Sequence, residues 1–442
     1  MILIISDLHF ADGTTSSNVN PKAWQLLCDN IRIRAKSCTD LKEIRIVLLG
    51  DIFDFVRSDY WFSIPFADRP WNGKLNKITG YNENSAANEK NYLKVLNDIF
   101  SNTDNSCQTF FDELNKVADE YSNIPTKLTY IIANHDRPIN LFPSLQAAIT
   151  AKFTKFKEVE YQQAIIDESY SLLARHSHEW DSECNGYKLY NYYQKSKKDK
   201  IGAFDPKAYI FQSIGEPITM ELMSGLINNL RQFGASDELL TLIKEANNVR
   251  PMTSVFDWLA WKGAVRNQDD RKKIYNSLRA SIDGLLKTEF AKQWDNLVVD
   301  YFFKSDIVDK LQLLKKFIDR LDYNQIHSLV DIIDYVSKHF PSGDNEDGEH
   351  AMKELDKHKN IQFVVYGHTH DAKNVTFETS VDGMVKKYIN TGTYLPLIKK
   401  IPKSKSFITQ NQMTMTFLYR KEERDSNYPV CDFWHGTRTD VV

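Results

Sequence analysis

The apolar run Ile46-Val47-Leu48-Leu49 stops at Gly50 and then offers two carboxylates, Asp51 and Asp54, three residues apart. A short β-branched run bounded by a turn residue reads as a buried strand. Gly50 can adopt backbone conformations that other residues resist, which throws Asp51 out at the strand's carboxyl end. In α/β sheets that edge is where ligands collect. Alone, Asp51 is as readily a helix-capping residue as a metal ligand. Three more runs repeat the pattern. Met1 to Ser6 leads into Asp7-Leu8-His9, Leu128 to Ile132 into Ala133-Asn134-His135-Asp136, and Gln362 to Tyr366 into Gly367-His368-Thr369-His370. One coincidence means little; four point to a shared metal centre.

A chain of 442 residues exceeds what one hydrophobic core usually supports, so a catalytic domain and a second substantial module are expected. Net charge is −3, which gives no reason to expect sequence-independent nucleic-acid binding, although a local basic groove remains open. The five cysteines are scattered and lack C-x-x-C spacing, arguing against a disulfide framework and for a reducing compartment. The apolar start is too short for a signal peptide and no run has membrane-spanning length. A cytoplasmic protein with no membrane partner is the expectation.

Helices are expected at 21–38, 88–100 and 109–121. Between them a polar and aromatic loop, residues 57–90, is either a functional wall or a satellite cluster on the domain surface. Residues 168–175 read as a strand ending in His176-Ser177-His178. The pattern then turns helical for about 160 residues, with stretches at 217–232, 236–248, 252–265, 271–294, 307–321 and 324–339. Ser305 or Asp306 would cap the fifth of these. Strand signals are nearly absent there. The acidic loop 343–349 fails the EF-hand spacing and reads as a solvated linker. Strands resume at 361–366, 386–390 and 413–419. The division expected is a catalytic domain of residues 1–183 and 358–442 around an inserted helical domain of residues 184–357.

Asp, Asn and neutral imidazole form a mixed donor set that suits Mn²⁺, Fe²⁺, Zn²⁺ or Ni²⁺. Cysteine is absent from the motifs, which removes a thiolate zinc site. The order Asp-x-His, Gly-Asp-x-x-Asp, Asn-His-Asp, His and Gly-His-x-His resembles the calcineurin-like metallophosphoesterase superfamily over residues 1–183 and 358–396. The resemblance implies an α/β fold, a four-layer αββα sandwich, and two divalent metal ions, Mn²⁺ ranked first. It implies that Asp7, His9 and His370 hold one metal, that Asn134, His176 and His368 hold the other, and that Asp51 bridges them. His135 would face the phosphate, oriented by Asp54. Residues 388–394 resemble the Asn-x-Gly strand end that follows the last motif in many members. Three positions depart from the pattern: Ala133 replaces the usual glycine, Phe55 follows Asp54 where protein Ser/Thr phosphatases carry Arg-Gly, and Ser177 stands between two candidate histidines. Of these two, His176 is the expected ligand and His178 the supporting residue.

The chemistry can be argued without the family. Two divalent cations held by only two carboxylates keep roughly two positive charges to attract phosphate. A bridging carboxylate sets them about 3.5–4 Å apart, so both reach one water and one phosphoryl group, and the water becomes hydroxide near neutral pH. His135 can donate a hydrogen bond or a proton. The expected activity is metal-dependent phosphoester hydrolysis on a soluble or nucleotide-like substrate. The insert begins just after His176, where the sequence resembles UDP-2,3-diacylglucosamine pyrophosphatases in the placement of their lid. The Gly-Asp-Ile-Phe-Asp wording also resembles SbcD-type repair exonucleases. The alternative is therefore a DNA or RNA nuclease whose insert docks nucleic acid or a partner protein, with the aromatic and basic residues 190–200 as candidate contacts or as a solvated turn. A metal-free interaction module is the third expectation.

Overall fold

The computed structural model describes residues 1–193, 206–251, 254–264, 266–297, 307–319, 347–377, 385–401, 404 and 406–441. The helix expected at 324–339, residues 194–200 of the aromatic–basic segment, Ser305, Asp306 and residues 343–346 lie outside the described residues.

The chain is a mixed α/β fold with two sheets. Its first strands are β1 (Ile2–Ile5), β2 (Ile44–Leu48), β3 (Thr126–Ile131), β4 (Glu158–Gln162), β5 (Ala164–Asp167) and β6 (Leu172–Arg175). After β7 (Val249–Arg250) come β8 (Phe363–Tyr366), β9 (Lys373–Thr376), β10 (Lys387–Asn390), β11 (Leu397–Lys400), β12 (Phe407–Tyr419) and β13 (Val430–Val441). One sheet runs β4-β3-β2-β1-β12-β11-β7, with β13 on β12; the other runs β5-β6-β8-β10-β9. Strands β1 to β4 are mutually parallel, as are β6, β8 and β10. Parallel neighbours bring their carboxyl ends to one edge, and there each candidate donor emerges.

Period-two alternation explains how the sheets are buried on both faces. Leu3, Ile5, Ile46, Leu48 and Leu128 face a large aromatic core with helices Lys22–Lys36, Ser85–Phe100 and Ser106–Glu120. Their neighbours Ile2, Ile4, Val47, Leu49 and Ile131 face the second sheet, meeting Leu172, Ala174, Phe363, Val365 and Ile389. On that sheet's far side Leu173, Val364 and Tyr366 pack with Ala351 and Leu355 of helix Asp347–Lys357.

The helical stretches observed between β6 and β8 include Gly225–Gln232, Asp237–Lys244, Val255–Ala264, Gln268–Lys287, Glu289–Asp295 and Ile307–Ile318. Apart from Glu289–Asp295, whose Phe290, Ala291 and Trp294 join the main core, they share a core of their own that includes Ile398 and Phe407 of the first sheet, so the insert packs onto the sheet. No helix among the described residues is long and apolar enough to cross a membrane. All five cysteines are free.

Several expectations need correction. Residues 168–170 form a 3-10 turn and β6 starts only at Leu172. Residues 347–349, assigned to a linker, begin helix Asp347–Lys357, because Ala351 and Leu355 give that segment a face to bury. The loop 57–90 is not a surface satellite, and of its residues Arg57 lines the cavity described below. Trp61, Trp71 and Tyr81 are buried in the main core, and Glu221 of the insert accepts from Arg69 Nη1 at 2.7 Å and Trp71 Nε1 at 2.7 Å. The loop is the seam between sheet and insert.

Candidate metal centre

Six residues at the strand ends hold left-handed backbone: Asp7 (φ 53°), His9 (48°), Asp51 (52°), Ser177 (80°), His368 (70°) and His370 (62°). Each such L-residue costs about 1–3 kcal/mol, and such clusters mark functional sites. Glycine is required twice. At Gly50 (φ 88°) a Cβ would lie 2.5 Å from Ala133 Cβ and 2.6 Å from His176 Nδ1. At Gly367 it would lie 2.7 Å from Asp7 Oδ2. Both turns are pressed against the groups that they position. Ala133 itself is accommodated against Gly50.

The side chains converge. His9 Nε2 and His370 Nε2 face each other at 2.9 Å. Asp7 Oδ1 lies 3.3 Å from His370 Nε2, 3.8 Å from His9 Nε2 and 4.0 Å from His176 Nε2. Asp51 Oδ2 lies 3.2 Å from His176 Nε2 and 3.9 Å from His9 Nε2. Asp51 Oδ2 thus stands between His176 and His9. Asp51, His176 and His368 form one compact donor set and Asp7, His9 and His370 another. Both can hold a metal ion.

The fit of a cation rests on orphaned polar atoms. Asp7 Oδ1, Asn134 Oδ1 and His176 Nε2 are buried and make no hydrogen bond among the described residues. A buried donor or acceptor left unmade costs about 1–3 kcal/mol, and Asp7 Oδ1 and His176 Nε2 lie 4.0 Å apart, so these two call for a common partner.

The remaining atoms of these ligands are held from behind. His176 Nδ1 contacts Leu49 O at 2.8 Å, leaving Nε2 for the site. His135 N donates to Asp51 Oδ1 at 2.9 Å, and His368 N to Asp7 Oδ2 at 3.0 Å. Asp54 holds two rings: Oδ1 contacts His135 Nδ1 at 3.1 Å and Oδ2 contacts His9 Nδ1 at 2.9 Å. Asp136 ties two strand ends together, accepting from Ala133 N at 2.5 Å, Ile52 N at 3.1 Å and Tyr130 Oη at 2.6 Å. Asn390 Nδ2 donates to Gly367 O at 2.8 Å and Thr393 Oγ1 to Asp7 O at 2.7 Å, so Asn390 braces the last motif and Thr393 the first.

Charges are strongly coupled here. Burial raises Asp7 to about 6. Burial works against a proton on His176, yet Asp51 and Asp7 raise it to about 10. Burial pushes His9 down to about 3 against the pull of Asp54. Burial also opposes ionisation of Asp54, but His135 and Arg57 hold it well below the usual carboxylate range.

Of the two histidines around Ser177, His176 joins the cluster while His178 is buried against Tyr209, its ring centroids 5.8 Å apart. Two residues escaped the sequence reading. Asp181 Oδ2 lies 3.3 Å from His368 Nε2 and can orient that ring. Arg250, on β7, places Nη2 3.0 Å from His370 Nδ1. The His-Ser-His-Glu-Trp-Asp run offered a signal for Asp181; a two-residue strand offered none for Arg250.

Asp51, Asn134, His135, His368 and His370 open into a cavity of about 850 Å³, whose other walls include Arg57, Trp180, Glu216, Arg250 and Lys399. That volume lies in the range of small-molecule sites. No protein-family model matches the chain, and no curated protein matches it in sequence.

Proposed function

We propose that the protein is a two-metal phosphoester hydrolase of the calcineurin-like metallophosphoesterase type, acting on a soluble or nucleotide-like phosphoester. The observation that carries this reading is the convergence of Asp7, Asp51 and three imidazole Nε2 atoms, all at strand ends, on orphaned buried oxygens and nitrogens. The two sheets, with helices on their outer faces, support a four-layer αββα sandwich formed by residues 1–183 and 358–442, with residues 184–357 inserted.

Asp7, His9 and His370 would hold one cation, Asn134, His176 and His368 the other, and Asp51 both. Mn²⁺ suits this oxygen and nitrogen set. Bound divalent cations supply Lewis acidity toward a phosphoryl oxygen and an activated water near neutral pH. The chain's own part is to aim that chemistry. His135 projects from the Asn134 turn into the cavity, its Nδ1 fixed by Asp54, which leaves Nε2 to donate to a phosphoryl or leaving-group oxygen. The insert walls the cavity, which favours a small substrate over a polymer. Free cysteines accord with a cytoplasmic setting.

The test is hydrolysis of p-nitrophenyl phosphate, bis-p-nitrophenyl phosphate and single-stranded DNA with Mn²⁺, using Asp51→Asn as the blank. Turnover of small esters that depends on Asp51 supports the reading. Salt-sensitive cleavage of DNA would replace it with the nuclease. Absence of any Asp51-dependent turnover together with no retained metal would leave an interaction module.

A further inference from the structure

A turn on the cavity wall brings sulfur to the edge of the candidate metal centre. Asp181, Cys184 and His368 all line the cavity. They offer one carboxylate oxygen, one thiol sulfur and one imidazole nitrogen, all within 4.8 Å of one another. In the sequence Cys184 stands apart from every strand-end motif; in the fold it lies beside the last of them.

The turn is held from several sides. Asp181 O accepts from Cys184 N at 3.1 Å, Asn185 N at 3.0 Å and Asn185 Nδ2 at 2.7 Å. Asp181 Oδ1 accepts from Glu183 N at 2.9 Å, which fixes the carboxylate with Oδ2 toward His368. Arg137 Nη2 donates to Cys184 O at 2.5 Å and ties the turn to the segment that carries His135. A Cβ at Gly215 of the insert would lie 3.4 Å from Cys184 Sγ, so the insert backs the thiol.

Spacing and donor type both suit a cation. Two residues separate Asp181 from Cys184, the gap that zinc-binding turns use. Oxygen and nitrogen ligands about 2.0–2.1 Å from a tetrahedral ion stand about 3.3–3.4 Å apart. Asp181 Oδ2 and His368 Nε2 are 3.3 Å apart, longer than the usual hydrogen bond of about 2.9–3.0 Å. Asp51 and His176 suit Mn²⁺, whereas a thiolate selects a softer ion such as Zn²⁺. His368 belongs to both sets. An ion taken by Asp181 and Cys184 therefore draws on the imidazole that the Asp51 set also requires.

We propose that Asp181, Cys184 and His368 form a further cation site, selective for a thiophilic dication such as Zn²⁺, which competes with the Asp51 centre for His368. Binding sends the thiol's proton to solvent, and the dication, the thiolate and the Asp181 carboxylate then sum to zero charge. Three protein ligands leave a fourth position for water. The consequence for catalysis rests on the two-metal phosphoesterase reading: Zn²⁺ at this site inhibits the Mn²⁺ enzyme.

The experiment compares Mn²⁺-loaded wild-type protein with Cys184→Ala and Cys184→Ser. Each is titrated with Cd²⁺, whose thiolate charge-transfer absorption reads sulfur coordination without turnover, and with Zn²⁺ during hydrolysis of p-nitrophenyl phosphate. The other four cysteines remain in both variants and report binding elsewhere. Wild type is expected to show a thiolate band that saturates at a single equivalent of Cd²⁺. Cys184→Ala is expected to keep its manganese, to lose the band and to need about 100-fold more Zn²⁺ for the same inhibition, since a direct ligand is worth at least the 10–100-fold of an orienting group. Cys184→Ser also lacks the sulfur and is expected to behave alike, which serves if the alanine variant fails to fold. No band in wild type, or an equal band in the variants, overturns the site. Equal Zn²⁺ inhibition in all three proteins means that Zn²⁺ displaces Mn²⁺ at the Asp51 centre, and overturns the competition for His368. If the wild type turns over no ester, the hydrolase reading falls and the cadmium band alone decides the site.

Discussion

The two-sheet half and the helical insert reach the same cavity by different routes. In the sheets Asp7, His9, Asp51, His368 and His370 are each fixed by their own strand end: an apolar run, a left-handed turn and a side chain that joins a shared cluster. In the insert the helices pack mainly for themselves, and function arrives through one short strand and a few buried polar groups at the seam. Chemistry carried by strand ends tolerates little change in the turn. Chemistry carried by a seam depends instead on the seam staying closed.

The largest effect should come from the sheets. Asp51→Asn is expected to lose metal retention and turnover together, followed as manganese content and ester hydrolysis; metal retained at wild-type level would break the bridging assignment. His135→Ala should keep its metal and lose about 10²–10⁴ in kcat. An unchanged rate with metal retained would remove it from the reaction. At the seam, Glu221→Ala leaves the buried Arg69 guanidinium and Trp71 indole without their acceptor. It should cost about 3–5 kcal/mol in urea unfolding. If the insert unfolds separately without changing the sheet transition, the seam is only a surface contact. Asp181→Asn should weaken metal affinity by about 10–100-fold through His368, as expected when an orienting carboxylate is lost.

The last effect is a pH slope. In the metal-free protein His176 is raised to about 10 despite burial, because Asp51 and Asp7 favour its charged form. A raised group keeps its proton below that value, so at neutral pH an incoming cation has to displace it. Metal affinity should therefore rise by about tenfold per pH unit between pH 7 and pH 9, with proton release in calorimetry. A flat profile would show that His176 is not a ligand.

Much of the site was legible because each donor follows its apolar run within a few residues, so strand and ligand appear together in the sequence. Asp7, Asp51, Asn134, His176, His368 and His370 all meet this condition. What was hidden depends on pairing between distant segments. Nothing local links Asp54 to His9, 45 residues away, or Asp181 to His368, 187 residues away. Strands β4, β5, β9, β11 and β13 were not anticipated, since the partly exposed Glu158–Gln162 and Lys373–Thr376 lack a continuous apolar run. β7 is two residues long and has no periodicity to read. The burial of the loop 57–90 was hidden because one partner of Trp71, Glu221, lies 150 residues further along the chain.

The double grip of Asp54 has a mechanical meaning. A carboxylate is one rigid planar unit, and here its two oxygens are tied to different rings, His9 and His135. Backbone N–H groups of Val56 and Arg57 also hold Oδ1, at 3.2 Å and 3.1 Å. Any tilt that follows His9 must carry His135 with it, as the arms of a rocker move about one pivot. If His9 holds an ion and His135 meets the substrate, as proposed, the two rings share one lever, and the ion's arrival would be felt where the bond is to be broken.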